Sequence, residues 1–125
     1  MADFYLQIRT DSMTLKNLET HDEHSAQGHF SSVRLIIGDY YSAEFILRQL
    51  VEQMGLRVSL PFSTHHRVVV QALDKIEGGL SEVEIRLLKE VVSGGFAQKV
   101  KKIVVCCDNL PLPQSEAKAL LENTQ

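Results

Sequence analysis

An unbroken apolar run, Ile103-Val104-Val105-Cys106-Cys107, entered through Lys101-Lys102 and left through Asp108-Asn109, constrains this chain more than any other stretch. Continuous β-branched and small apolar residues without polar alternation describe a strand covered on both faces, in the middle of a sheet. Helices must then flank it, and the fold class is α/β or α+β. At 125 residues and 44% hydrophobic composition, the chain suffices for one domain, 1–125, with a real core and is short for two.

Phe4, Leu6 and Ile8 alternate with Tyr5, Gln7 and Arg9, the period of a half-buried strand. From residue 10 to 28 the pattern dissolves into polar residues around isolated Met13, Leu15 and Leu18. This reads as a long polar loop, with a turn of helix near residues 15–19. Residues 29–37 recover strand character through Phe30, Val33, Leu35, Ile36 and Ile37, and are expected to pair antiparallel with the first strand.

Asp39 and Ser42 offer cap oxygens to a helix in which Ala43, Ile46, Leu47, Leu50, Val51 and Met54 recur at helical spacing until Gly55. Arg57-Val58-Ser59-Leu60 is a short edge strand or an extended connection, stopped by Pro61. Ser63 or Thr64 caps a second helix with the stripe Val69, Ala72, Leu73 and Ile76, against which the β-branched run Val68-Val69-Val70 argues. Ser81-Glu82-Val83-Glu84 is a capping box opening a third helix, which Ser93-Gly94-Gly95 ends. Its apolar set, Val83, Ile85, Leu87, Leu88, Val91 and Val92, exceeds one stripe, so contact on two sides is expected. Ser115 caps a short last helix, and residues 122–125 fray. The order β-β-α-(β)-α-α-β-α implies a mixed sheet of about three to four strands with about four helices.

The net charge of −3 gives no electrostatic footprint for nucleic acid. The two cysteines are adjacent on a strand, so they face opposite ways, and a reducing compartment fits them better than a disulfide. No apolar run approaches the roughly 20 residues of a membrane span, and the N-terminal residues lack a basic leader. A cytoplasmic protein is expected.

His21-Asp22-Glu23-His24, with His29 after it, holds imidazoles and carboxylates that suit zinc. The spacing differs from the zinc protease pattern, and a solvated polar loop explains the same residues. Cys107, Asp108 and Asn109 leave a buried strand, where open α/β sheets take ligands, and form a candidate pocket. A nucleophilic thiol would need a neighbouring base, whereas buried cysteines are ordinarily inert. Gly78-Gly79 and Gly94-Gly95 read as helix punctuation rather than a phosphate fingerprint. Residues 80–94, with their cap and leucine spacing, resemble the opening helix of the helix-turn-helix output domains of bacterial transcription regulators. The resemblance implies a recognition helix next, where this chain has Phe96-Ala97-Gln98-Lys99-Val100 and a β-branched run.

With no coherent catalytic set, the leading expectation is a small non-catalytic protein-binding protein: an adaptor, inhibitor or accessory subunit. Tyr40, Tyr41, Phe62 and Phe96, near element ends, are its candidate anchors, with core packing as the alternative for each. A metal-dependent enzyme or metal sensor using His21, His24 and His29 is the second reading, and a nucleic-acid-binding regulator the third. A homodimer is also expected, through an unpaired edge strand at residues 4–9 or 29–37 or through the Tyr40-Tyr41 corner.

Overall fold

In a computed structural model, which describes residues 3–32, 34–54, 66–76, 78–106 and 108–123, strand β1 (Asp3–Arg9) lies at the centre of a five-stranded mixed sheet. It turns through Thr10 and Asp11 into β2 (Ser12–Asn17), and a second turn leads to β3 (Glu23–Gln27). These three strands are antiparallel neighbours. Helix α1 (Tyr40–Gln53) follows, then β4 (His66–Ala72), α2 (Glu82–Gly95), β5 (Val100–Cys106) and α3 (Gln114–Asn123). β4 pairs parallel with β1, and β5 parallel with β4, giving the order β3-β2-β1-β4-β5.

The alternation of side chains along β1 divides the core in two. Phe4, Leu6 and Ile8, with Met13, Leu15, Val68, Val70 and Ala72, face α1 and α2, where Ala43, Leu47, Leu50, Leu88, Val91 and Val92 close the layer. Tyr5, Val69, Val104 and Cys106 face the other way, onto Leu18 and the Ala117 and Leu121 of α3. Each fully buried aliphatic or aromatic side chain here contributes about 1.5–3 kcal/mol of transfer free energy.

The α/β class and the mixed sheet agree with the sequence, but several elements differ. The apolar run as far as Cys106 lies in β5, an edge of the described sheet and not its middle, and β1 holds the centre. What erases polar alternation in β5 is cover on both faces, by α2 and by α3, and an edge strand can have that as well as a central one. Residues 10–28 are no loop. Met13 and Leu15 are buried and alternate with half-buried Thr14 and Lys16, while β3 turns His24 and Ala26 half inward, opposite Leu15 and Met13.

Among the described residues of 29–37, none lies in a strand. The Gly38 and Asp39 amides both donate to the Phe30 carbonyl and Ser32 N–H donates to Leu35 O, folding the segment into a loop that plugs Phe30, Ile36 and Ile37 into the core. Asp11, held at a positive φ of 55, anchors it by accepting from the Phe30 and Ser31 amides. The helix expected before Gly78 is strand β4, whose Val68, Val69 and Val70 are buried on alternating faces between β1 and β5. Its proposed cap, Ser63 or Thr64, and the 57–60 strand lie outside the described residues, which hold three helices. Gly94 and Gly95 are inside α2, and a Cβ at Gly95 would sit 2.5 Å from the Leu47 side chain on α1. They permit a close helix crossing. The strand after α2 also removes the recognition helix that the helix-turn-helix resemblance implies. Among the described residues no helix is long and apolar enough to cross a membrane.

Candidate functional site

α1 begins where Asp39 accepts hydrogen bonds from the Ser42 amide at 3.2 Å and the Ser42 hydroxyl at 2.9 Å. Those bonds, the amide first, hold its carboxyl below the usual carboxylate range. The cap sets Tyr40 and Tyr41 on the first turn. Tyr40 leans on α2, its hydroxyl within reach of the Glu44 carboxylate and 3.2 Å from the Glu90 carbonyl oxygen. Hydrogen bonding to Glu44, then partial burial, pushes this phenol up to about 12. Tyr41 stacks edge-on against Tyr40, centroids 5.4 Å apart, and is 81% exposed.

The loop before α1 carries Leu35, Ile36 and Ile37 to the first turn of α2. There Ser81 accepts from the Glu84 amide at 3.2 Å and Glu84 Oε1 accepts from the Ser81 amide at 3.3 Å, completing the expected capping box. Between loop and helix lies a cleft of about 140 Å³, lined by Leu35, Ile36, Ile37, Val83 and Leu87, with Ser81 and Glu84 at its rim. Leu35 is 42% exposed and Val83 74%. Because Glu84 is committed to the cap, the cleft offers no acid and base pair. Its shape and lining suit an apolar side chain from outside.

Of the sequence anchors, Tyr41 is presented to solvent and Tyr40 is tied to α2, while Phe62 lies outside the described residues. Phe96 is fully buried against Phe4 and His66, so its ring belongs to the core. Asp108 and Asn109 are exposed and line an open crevice of about 620 Å³, shared with Asp74, Lys75, Gly78 and Gly79 at the carboxyl ends of β4 and β5. Cys107 lies outside the described residues. His21 sits in the β2–β3 turn, His24 on β3 opposite Leu15, and His29 beyond the strand, its Nδ1 3.7 Å from Asp11 Oδ2. Among the described residues no three metal-ligating side chains converge, so the structure does not gather these histidines.

Leu35, Val83 and Leu87 are the site residues that the sequence reading missed. A signal was present in the apolar set of α2, which exceeds one buried stripe. The surplus is what leaves Val83 on the surface instead of burying it on a second side.

The sequence matches no family model. In fold the chain resembles the ethanolamine utilization protein EutJ from Carboxydothermus hydrogenoformans, with a TM-score of 0.58 at 16% identity over 84% of this chain. It spans only 36% of that structure's length. YeaZ from Pseudomonas aeruginosa aligns at a TM-score of 0.46 and 13% identity, over 86% of this chain and 45% of that one. In sequence it is 36% identical over 130 residues to the Escherichia coli strain K12 protein named Uncharacterized protein YjaA, covering 98% of each chain. Identity at that level along nearly the whole of both chains places this protein in the YjaA family.

Proposed function

We propose that this protein works by binding another protein and has no catalysis of its own, as an adaptor, inhibitor or accessory subunit. The partner seats one apolar side chain in the cleft between the 35–37 loop and α2. One observation carries this reading: Leu35 and Val83, two large apolar side chains exposed at 42% and 74%, bracket an apolar cleft with a polar rim. An apolar centre ringed by polar groups is the usual anatomy of a protein interface, and one well-seated anchor carries much of the binding energy. Tyr41 adds an exposed aromatic on the neighbouring helix start.

The test is capture from native cell extract, followed by affinity measurement with the purified partner. Val83→Glu, which puts a charge at the mouth of the cleft, is expected to weaken binding at least tenfold, and Tyr41→Ala to weaken it less. Turnover on a broad substrate panel, abolished by Asp108→Asn, would sink the reading.

A second reading, binding of a small polar molecule, is supported by the crevice of Asp74, Lys75, Asp108 and Asn109, since it lies outside the carboxyl ends of two parallel strands. Thermal stabilisation by one member of a panel of small phosphates and carboxylates, lost in Asn109→Ala, would favour it over the cleft.

A further inference from the structure

β3 is one of the two outer strands of the described sheet, β5 being the other, and its register shows which backbone groups point outward. Asn17 N–H donates to Asp22 O at one end of the β2–β3 ladder and Gly28 N–H to Asp11 O at the other. Bonded and non-bonded pairs alternate in an antiparallel ladder, so His24 and Ala26 are the residues that bond to Leu15 and Met13. Glu23, Ser25 and Gln27 therefore turn their N–H and C=O groups away from β2. Among the described residues no strand takes them.

We propose that this edge pairs with the same edge of a second copy of the chain, antiparallel, about a two-fold axis through Ser25. This register is self-complementary over the whole strand. Ser25 meets Ser25 of the other copy and Glu23 meets Gln27, so every outward-facing residue finds an outward-facing partner and no like charges stand opposite each other. The usual guards of a free edge are missing: Glu23-His24-Ser25-Ala26-Gln27 contains no proline, lysine or arginine, and its one acid lies at the end. Continuing the register sets the β2–β3 turn of the second copy beside Gly28. That is the margin of an open hollow of about 400 Å³ where Phe45 is 53% exposed and His29 and Tyr41 form the walls. The pairing joins two five-stranded sheets into one and puts both copies of the Leu35–Val83 cleft on the same face, so the assembly would bind two anchors at once.

The expected edge at residues 4–9 fails because β1 has neighbours on both sides, and the one at 29–37 because none of its described residues lies in a strand. Of the two edges of the described sheet, β5 carries Lys101 and Lys102, the kind of guard that β3 lacks, so β3 is the edge that suits self-association.

The experiment measures mass by light scattering across the micromolar range. Wild-type protein should show twice the chain mass. Ser25→Lys and Ser25→Glu, each placing like charges at the two-fold on an exposed side chain, should each show a single chain mass with unchanged circular dichroism. An equal mixture of the two variants should recover the doubled mass as mixed dimers. A wild-type monomer throughout, a dimer that survives both variants, or variants that do not recombine would each overturn the proposal. If wild type is monomeric and Ser25→Lys abolishes capture of a cellular partner, the edge takes a strand of another protein and the second copy is excluded. Val83→Glu acts at the cleft and should leave the dimer mass unchanged, so failure of the docking reading and failure of the dimer are separable.

Discussion

Arg67 grips Asp3 through two hydrogen bonds, Nε to Oδ1 at 2.8 Å and Nη2 to Oδ2 at 2.7 Å, where β1 and β4 start side by side. The forked geometry is the strong form of this pair, and Asp3 is almost wholly buried. Hydrogen bonding to Asp3 pushes the Arg67 pKa up further, and its Nη1 also donates to the Leu121 carbonyl, tying the end of α3 to the sheet. Arg67→Ala leaves a buried carboxylate whose remaining cation among the described residues is Lys118, at 3.9 Å, and is expected to cost about 3–5 kcal/mol in urea unfolding. Replacing both partners with apolar residues of similar volume should recover most of that loss, because the penalty comes from the orphaned charge.

Tyr5→Phe tests the clasp on the same sheet face. The Tyr5 hydroxyl donates to Gln71 Oε1 and accepts from Gln7 Nε2 at 3.3 Å and Leu112 N at 3.0 Å. Gln71 Nε2 in turn donates to the Asp108 and Leu110 carbonyls. Removing the hydroxyl leaves a buried amide oxygen and a backbone N–H without their partner, an expected loss of about 1–3 kcal/mol. Hydrogen exchange at Leu112 should accelerate more than exchange in β1.

At Gly95 the prediction is steric. An added methyl would meet Leu47 Cγ and Cδ2 at 2.5 Å, closer than real contacts allow, so either Leu47 leaves its rotamer or α1 and α2 separate. Gly95→Ala should cost about 1–3 kcal/mol despite the better helix propensity of alanine. Gly95→Ala combined with Leu47→Ala should cost less than the two single losses together.

Tyr40 supplies a pH signature. Its pKa is raised from 10.0 to about 12, so the folded state favours the protonated phenol. The resulting stability is fully present below pH 10 and is lost as pH rises through the folded value. Phenolate absorbance should show one tyrosine titrating near 12 in the folded protein and not in Tyr40→Phe. Between pH 10 and 12 the variant should lose less thermal stability than the wild type.

Helices were the legible part of the chain, because their signals are local. Asp39 and Ser81 cap the helices that the spacing of Leu47, Leu50, Leu88 and Val91 describes. Strands depend on neighbours far away in sequence. Val68-Val69-Val70 argued for a strand, yet the spacing of Val69, Ala72 and Ile76 imitated a helical stripe. Burial of both faces between β1 and β5 decided the matter, and no local residue records it. β3 was hidden for the opposite reason: an outer strand with a wet face needs little apolar content, and Ala26 alone could not mark it. The candidate site was half legible. Tyr41 stood out as an aromatic at an element end, but the Leu35–Val83 cleft exists only because a loop that reads as a strand folds back onto α2.

The central place of β1 also divides its pairings into local and distant ones. Phe4 pairs with Asn17 on one side and with Val68 on the other, so one flank of the strand closes through nearby residues and the other waits for a segment synthesised much later. Loop-closure entropy favours the local pairings of β1–β2–β3 over the β1–β4 pairing, which joins residues far apart in the chain. Until β4 docks, one flank of β1 is an unpaired edge of the kind that templates pairing with another chain.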